Sequence, residues 1–134
     1  GAILAHMGKT DMFLPIQYAL THPGRHTVPM EPLDLAAVGQ LTFAAPDREN
    51  FPCLDLCYEA GQRGGTAPAA LNAANEEAVR AFLGGYISFG DIADLNGAIM
   101  ADWPEADAAD VGAVLAADHA ARQCAEEWIA QLER

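Results

Sequence analysis

A chain of 134 residues is long enough for one domain, or one domain with an attached arm, and too short for two full domains. Apolar types make up 51% and charged types 19%, which is enough core material to exclude a wholly disordered segment. Seven Lys and Arg against nineteen Asp and Glu give a net charge of −12, which excludes nucleic acid and an anionic membrane surface as partners, since both need clustered cations.

Residues Gly1 to Met7 read as a short strand, Ala2 to Met7, closed by Gly8 and cut off from an earlier context. Asp11 is placed as the N-cap of a short helix with Pro15 in its first turn and Met12, Ile16, Ala19 and Leu20 near one face. His22-Pro23-Gly24 ends that segment. Residues 21–50 carry four prolines and little periodicity, so they read as an extended arm whose Leu33, Leu35, Leu41 and Phe43 pack on another surface. Near residues 46–50 the composition changes. Lys9 and Arg25 almost balance three acids before that point, whereas five arginines face sixteen acids beyond it.

From residue 51 the pattern is helical. Pro52 suits a first helical position, and Cys53, Leu56, Cys57 and Ala60 form a stripe that stops at Gly61, Gly64 and Gly65. A second helix is expected from about Leu71 to Leu83, capped by Asn72, with Ala74, Ala78, Val79 and Phe82 inward and Gly84-Gly85 at its end. Ser88 and Asp91 have the spacing of a capping box, and Ile87 and Ile92 that of a hydrophobic staple. Ile92, Leu95 and Ile99 continue that buried face. The last helix is expected from about Ala108 to Glu133, burying Val111, Val114, Leu115, Ala121, Ala125, Trp128, Ile129 and Leu132. The fold class is therefore mainly α. It comprises a bundle of about four helices, preceded by an extended arm and a short strand and helix that look like the remnant of an α/β domain.

Residues that could carry chemistry are few. Cys53 and Cys57 lie four apart on one helix face, but without a CxxC pair or grouped histidines they read as buried small hydrophobes. Three cysteines are too few for a disulfide scaffold, and a reducing, cytoplasmic setting is expected. His22 and His26 are separated by Pro23-Gly24 and do not form a helical metal pair. The adjacent acids Glu76-Glu77 and Glu126-Glu127 point ~100° apart around their helices and read as solvated faces. Gly61-Gln62-Arg63-Gly64-Gly65 follows a helix and is a stop, not a phosphate cradle. No apolar run reaches the ~20 residues that span a bilayer, and no secretory signal is present. In Asn72-Ala73-Ala74-Asn75-Glu76, capping accounts for Asn72 and Glu76 but leaves the Asn75 amide free to bond a neighbouring segment. On chemistry alone the chain holds no complete active site.

Several strings occur together in order: Gly8-Lys9-Thr10-Asp11-Met12 with Pro15-Ile16, Pro32-Leu33-Asp34-Leu35, Leu41-Thr42-Phe43-Ala44-Ala45-Pro46-Asp47, Phe51-Pro52-Cys53-Leu54, Ala70-Leu71-Asn72-Ala73-Ala74-Asn75-Glu76 and Phe89-Gly90-Asp91-Ile92. In that order and spacing they resemble the C-terminal part of the 1-deoxy-D-xylulose 5-phosphate reductoisomerase family, a resemblance that weakens after about residue 100. It implies that residues 1–20 end a catalytic domain, residues 21–50 form a connecting arm and residues 51–134 form a C-terminal helical bundle.

The resemblance also implies a parent enzyme that uses NADPH and Mg²⁺ or Mn²⁺ to make 2-C-methyl-D-erythritol 4-phosphate in the non-mevalonate isoprenoid pathway. Its partners would be the remaining domains of the same enzyme and, as a homodimer, a second copy. The family's metal-binding acids, phosphate-binding residues and dinucleotide fingerprint lie upstream of Gly1. No catalytic residue and no metal ligand therefore carries over, and the piece alone is expected to bind no cofactor and to be inactive. One residue does carry over: Met12 matches the Met that lies near the nicotinamide, and its alternative role is core packing. The family often has Pro before that Asp, whereas this chain has Thr10. Read without the family, the rival is an acidic helical module that recruits a basic protein partner.

Overall fold

The computed structural model describes residues 1–27 and 29–132. It divides the chain into two units, Gly1–Ala44 and Ala45–Arg134.

In the first unit, residues 1–9 are irregular, so the strand expected over Ala2 to Met7 does not form. A strand satisfies its N–H and C=O groups only on a neighbour, and no second strand exists among the described residues. Helix α1 spans Phe13–Thr21. Asp11 acts one residue earlier than a conventional cap, its Oδ1 accepting from the Phe13 N–H at 2.6 Å. The expected inward face is not buried: Met12, Ile16 and Leu20 are all exposed. Helix α1 ends where the Thr21 hydroxyl donates back to the Gln17 carbonyl at 2.9 Å, ahead of a cis His22–Pro23 peptide. The arm contains one further turn, α2 (Leu35–Val38), capped by Asp34, whose Oδ1 accepts from the N–H groups of Ala36 and Ala37. Leu35, Leu41 and Phe43 lie exposed rather than packed, Phe43 to 89%.

The second unit is a bundle of four helices, α3 (Cys53–Arg63), α4 (Ala67–Leu83), α5 (Phe89–Asp102) and α6 (Val111–Leu132), with α4 packed against the other three. Alanine sets the spacing between α4 and α6. Ala70 and Ala73 meet Ala121, and Ala74, Ala78 and Ala81 share a core cluster with Ala125. Such small side chains let two backbones approach closely. Larger residues fill the layer toward α5, where Ile87, Leu95 and Ile99 are buried with Phe82, Ile92, Trp128 and Ile129 partly covered around them. Leu95 is wholly buried, and burying a side chain of that size stabilises by roughly 1.5–3 kcal/mol.

Helix ends follow the capping rules closely. Ser88 and Asp91 form both bonds of the capping box, Asp91 accepting from the Ser88 N–H at 2.6 Å. Ile87 and Ile92 pack into one cluster, as the staple requires. At the other end of α5, the Arg63 guanidinium donates to the carbonyls of Met100 at 2.7 Å and Trp103 at 2.5 Å. Those carbonyls would otherwise be left without intrahelical donors. Trp103 packs against all three core clusters, and its indole N–H donates to Thr66 Oγ1 at 3.3 Å.

Three boundaries and several facings differ from the sequence-based expectations. Helix α3 runs through Gly61 to Arg63. Helix α4 begins at Ala67, because Pro68 fits its first turn, so Asn72 lies inside the helix and caps nothing. Helix α6 starts at Val111, with Asp110 Oδ1 accepting from the Ala113 N–H at 2.8 Å; its expected end at Glu133 lies outside the described residues. Val79, Val111, Leu115 and Leu132 are exposed rather than inward. Ala117, Ala121 and Ala125 define the buried stripe of α6, and Leu115, six residues before Ala121, points about 120° away from it. Cys57 is also exposed, which corrects its reading as a buried hydrophobe.

Candidate functional site

Met12, the one site residue expected from the sequence, stands at the start of α1 with 68% of its surface exposed. It is not a core residue within this unit. Nearby, His6, Gly8, Lys9, Asp11, Tyr18 and Arg25 line a depression of about 360 Å³. Its cations are already engaged: Lys9 Nζ lies 3.0 Å from Glu31 Oε2, and the Arg25 guanidinium lies over the Tyr18 ring at 4.5 Å.

The bundle holds the better-built constellation. Between α3, α4 and α5 lies a groove of about 460 Å³, lined among others by Cys53, Cys57, Leu71, Asn72, Asn75 and Asn96. Asn96 is 1% exposed, and its Nδ2 donates to Asn75 Oδ1 at 3.0 Å. The same Nδ2 lies 3.8 Å from Cys53 Sγ. Asn96 Oδ1 is buried with no partner among the described residues. The free Asn75 amide anticipated from the sequence thus meets a residue that sequence reading passed over. A signal existed: Ile92, Leu95, Asn96 and Ile99 fall at i, i+3, i+4 and i+7, which places one amide on an otherwise apolar stripe.

Of the four acids expected to be solvated, Glu126 and Glu127 are exposed, whereas Glu77 is buried and ion-paired. Glu77 is 7% exposed and accepts from Arg122 Nη1 at 3.0 Å and from Arg80. Arg122 also holds Asp118 at 2.9 Å and Glu76 at 2.7 Å, while Arg80 reaches Glu126 at 3.3 Å. Hydrogen bonds from Arg122, and then from Asn72, hold the Glu76 carboxyl below its ordinary pKa; Arg122 does the same for Asp118. These carboxylates neutralise guanidinium groups and are fixed between helices, so they are not poised for proton transfer. No group of three or more His, Cys, Asp or Glu that could hold a metal ion exists among the described residues. No helix of the described residues is long and apolar enough to cross a membrane.

The groove of the bundle therefore presents amides and the exposed Cys57 thiol, and the first unit presents the exposed Met12 thioether. A family model described as DXP reductoisomerase C-terminal domain matches residues 7–124. The 1-deoxy-D-xylulose 5-phosphate reductoisomerases of Cupriavidus necator and Moorella thermoacetica are 48% and 49% identical over 132 and 123 residues, covering 98% and 92% of this chain. This chain covers only 34% and 32% of those two proteins, so it spans about a third of the length of the relatives it matches. Among solved structures, the Zymomonas mobilis reductoisomerase in complex with NADPH superposes with a TM-score of 0.82 at 41% identity, covering 96% of this chain and 34% of that one. A DOX-P reductoisomerase in complex with NADPH, fosmidomycin and magnesium gives a TM-score of 0.82 at 36% identity, covering all of this chain and 35% of that one. The chain belongs to the DXP reductoisomerase C-terminal domain family.

Proposed function

We propose that this chain is the C-terminal third of a 1-deoxy-D-xylulose 5-phosphate reductoisomerase, an NADPH-dependent oxidoreductase of isoprenoid biosynthesis acting in the cytoplasm. In that enzyme the four-helix bundle braces the catalytic portion through the arm and contributes no catalytic group. The observation that carries this reading is the family match over residues 7–124 by a chain that covers only about a third of its relatives. Residues 1–20 act as the end of the catalytic domain, residues 21–50 as the arm and residues 51–134 as the bundle.

The divalent metal of the reaction does not fit the residues of this chain, which offer no ligand cluster among those described. Among the described residues, Met12 is the one we assign to NADPH, which would supply hydride when bound; what supports this is its exposure, since a polarisable thioether next to Asp11 suits packing on a flat ring. Met12 would position the ring and exclude water, with no proton to give or take. The exposed Leu35, Leu41 and Phe43 of the arm suit burial against the domain that precedes it. Homodimerisation is assigned to the longer enzyme.

The test is NADPH oxidation by the longer enzyme carrying this chain, with 1-deoxy-D-xylulose 5-phosphate and Mn²⁺. Turnover is expected, and Met12→Ala is expected to raise KM for NADPH several-fold. Absence of turnover would overturn the assignment, and an unchanged KM would return Met12 to a packing role.

A further inference from the structure

We propose that the groove lined by Asn72, Asn75 and Asn96 seats an extended backbone segment from the larger portion of the enzyme. Its peptide groups would be held by one donor and one acceptor that the bundle has oriented beforehand. This rests on the reading of the chain as one third of a longer enzyme.

The orientation follows from the hydrogen bonds. Asn96 Nδ2 donates to Asn75 Oδ1 at 3.0 Å, so the Asn75 oxygen faces α5 and its own Nδ2 is turned away, where it meets no acceptor among the described residues. One turn earlier the Asn72 Nδ2 is engaged with Glu76 Oε1 at 3.1 Å, and Glu76 is held in turn by Arg122 at 2.7 Å. Asn72 Oδ1 is therefore the atom left to accept. Positions three apart share one helix face at ~5–6 Å between Cβ atoms. A free donor beside a free acceptor matches the C=O and N–H that an extended backbone presents along one edge.

The ligand class follows from charge and shape. The groove is lined by amides, thiols, Leu71, Pro68 and small residues, with no ionised side chain on its wall. Neutral walls in a chain of net charge −12 select neither a phosphate nor a metal ion. Asn96 is the second sign of a built site. Its Oδ1 is buried without a partner among the described residues, a destabilising arrangement that an apolar residue of similar size would avoid. What Asn96 supplies instead is the fixed direction of the Asn75 amide. The occupant is assigned to the rest of the enzyme because about two thirds of the relatives' length lies outside this chain.

Hydrogen–deuterium exchange on the longer enzyme tests this, comparing wild type with Asn75→Ala and Asn72→Ala. Both variants are expected to speed exchange at least tenfold in one contiguous stretch outside residues 1–134, with α4 and α5 unchanged in Asn72→Ala. Should Asn75→Ala loosen α4 itself, Asn72→Ala decides by the same reading. No change outside residues 1–134 would overturn the proposal. So would a change confined to residues 1–44, or one that disappears when a second copy is diluted away. The exchange pattern is read independently of turnover, so a failed assay would refute the activity assignment and leave this result standing.

Discussion

Arg122 on α6 reaches Glu77 on α4 at 3.0 Å, and the carboxylate it meets is almost out of water. A lone buried carboxylate would be strongly destabilising, and here two guanidinium groups, from Arg122 and Arg80, compensate it. Arg122 gathers Glu76, Glu77 and Asp118 into one cluster and, together with the Arg80–Glu126 pair, ties two helices whose contact is otherwise mostly alanine.

This cluster gives a pH signature with a definite sign. Arg122 lowers the pKa of Glu76 and Asp118 below their ordinary values, so their contribution is complete at neutral pH and is lost as pH falls through the lowered values. Arg122→Met should lower the urea midpoint at pH 7. The gap between wild type and variant should narrow once pH drops below about 4, near the ordinary carboxylate pKa. A gap that is still full at pH 3 would mean that Arg122 acts by packing alone.

Gly65 is a backbone requirement. Its φ is +53°, and a Cβ there would lie 2.2 Å from the Ala106 carbonyl oxygen. That same carbonyl accepts from the Thr66 N–H at 2.9 Å and fastens the α5–α6 connection to the start of α4. Gly65→Ala should cost at least about 1 kcal/mol, read as a lowered denaturation midpoint. A neutral outcome would show that the connection can move aside freely.

Two leucines separate the core from the surface. Leu95→Ala removes a fully buried side chain and should cost ~2–5 kcal/mol. Leu115→Ala removes one that is 63% exposed and should change stability by less than about 0.5 kcal/mol. Equal losses in chemical denaturation would show that α6 is rotated from the facing described above.

Some of this architecture was legible in residues alone. Ser88, Asp91, Ile87 and Ile92 announced the start of α5, since capping is local chemistry between residues three to five apart. The facing of α6 was legible at Ala121 and Ala125 but not at Val111, Leu115 and Leu132, because valine and leucine look more hydrophobic than the alanines that close contact with α4 demands. Leu115 was drawn inward for that reason. The start of α4 was missed because Pro68 was not read as a first-turn residue. At the candidate site, Asn75 stood out because capping could not use it, but its partner Asn96 lies 21 residues away on another helix, and that pairing is tertiary.

The proposed role of these 134 residues is to support a reductoisomerase without containing its chemistry. The direct measurement is NADPH oxidation in the presence of 1-deoxy-D-xylulose 5-phosphate and Mn²⁺, run on the 134-residue chain alone beside the longer enzyme that carries it. The expected result is turnover by the longer enzyme and none by the isolated chain. Substrate-dependent NADPH oxidation by the 134 residues alone would contradict the account.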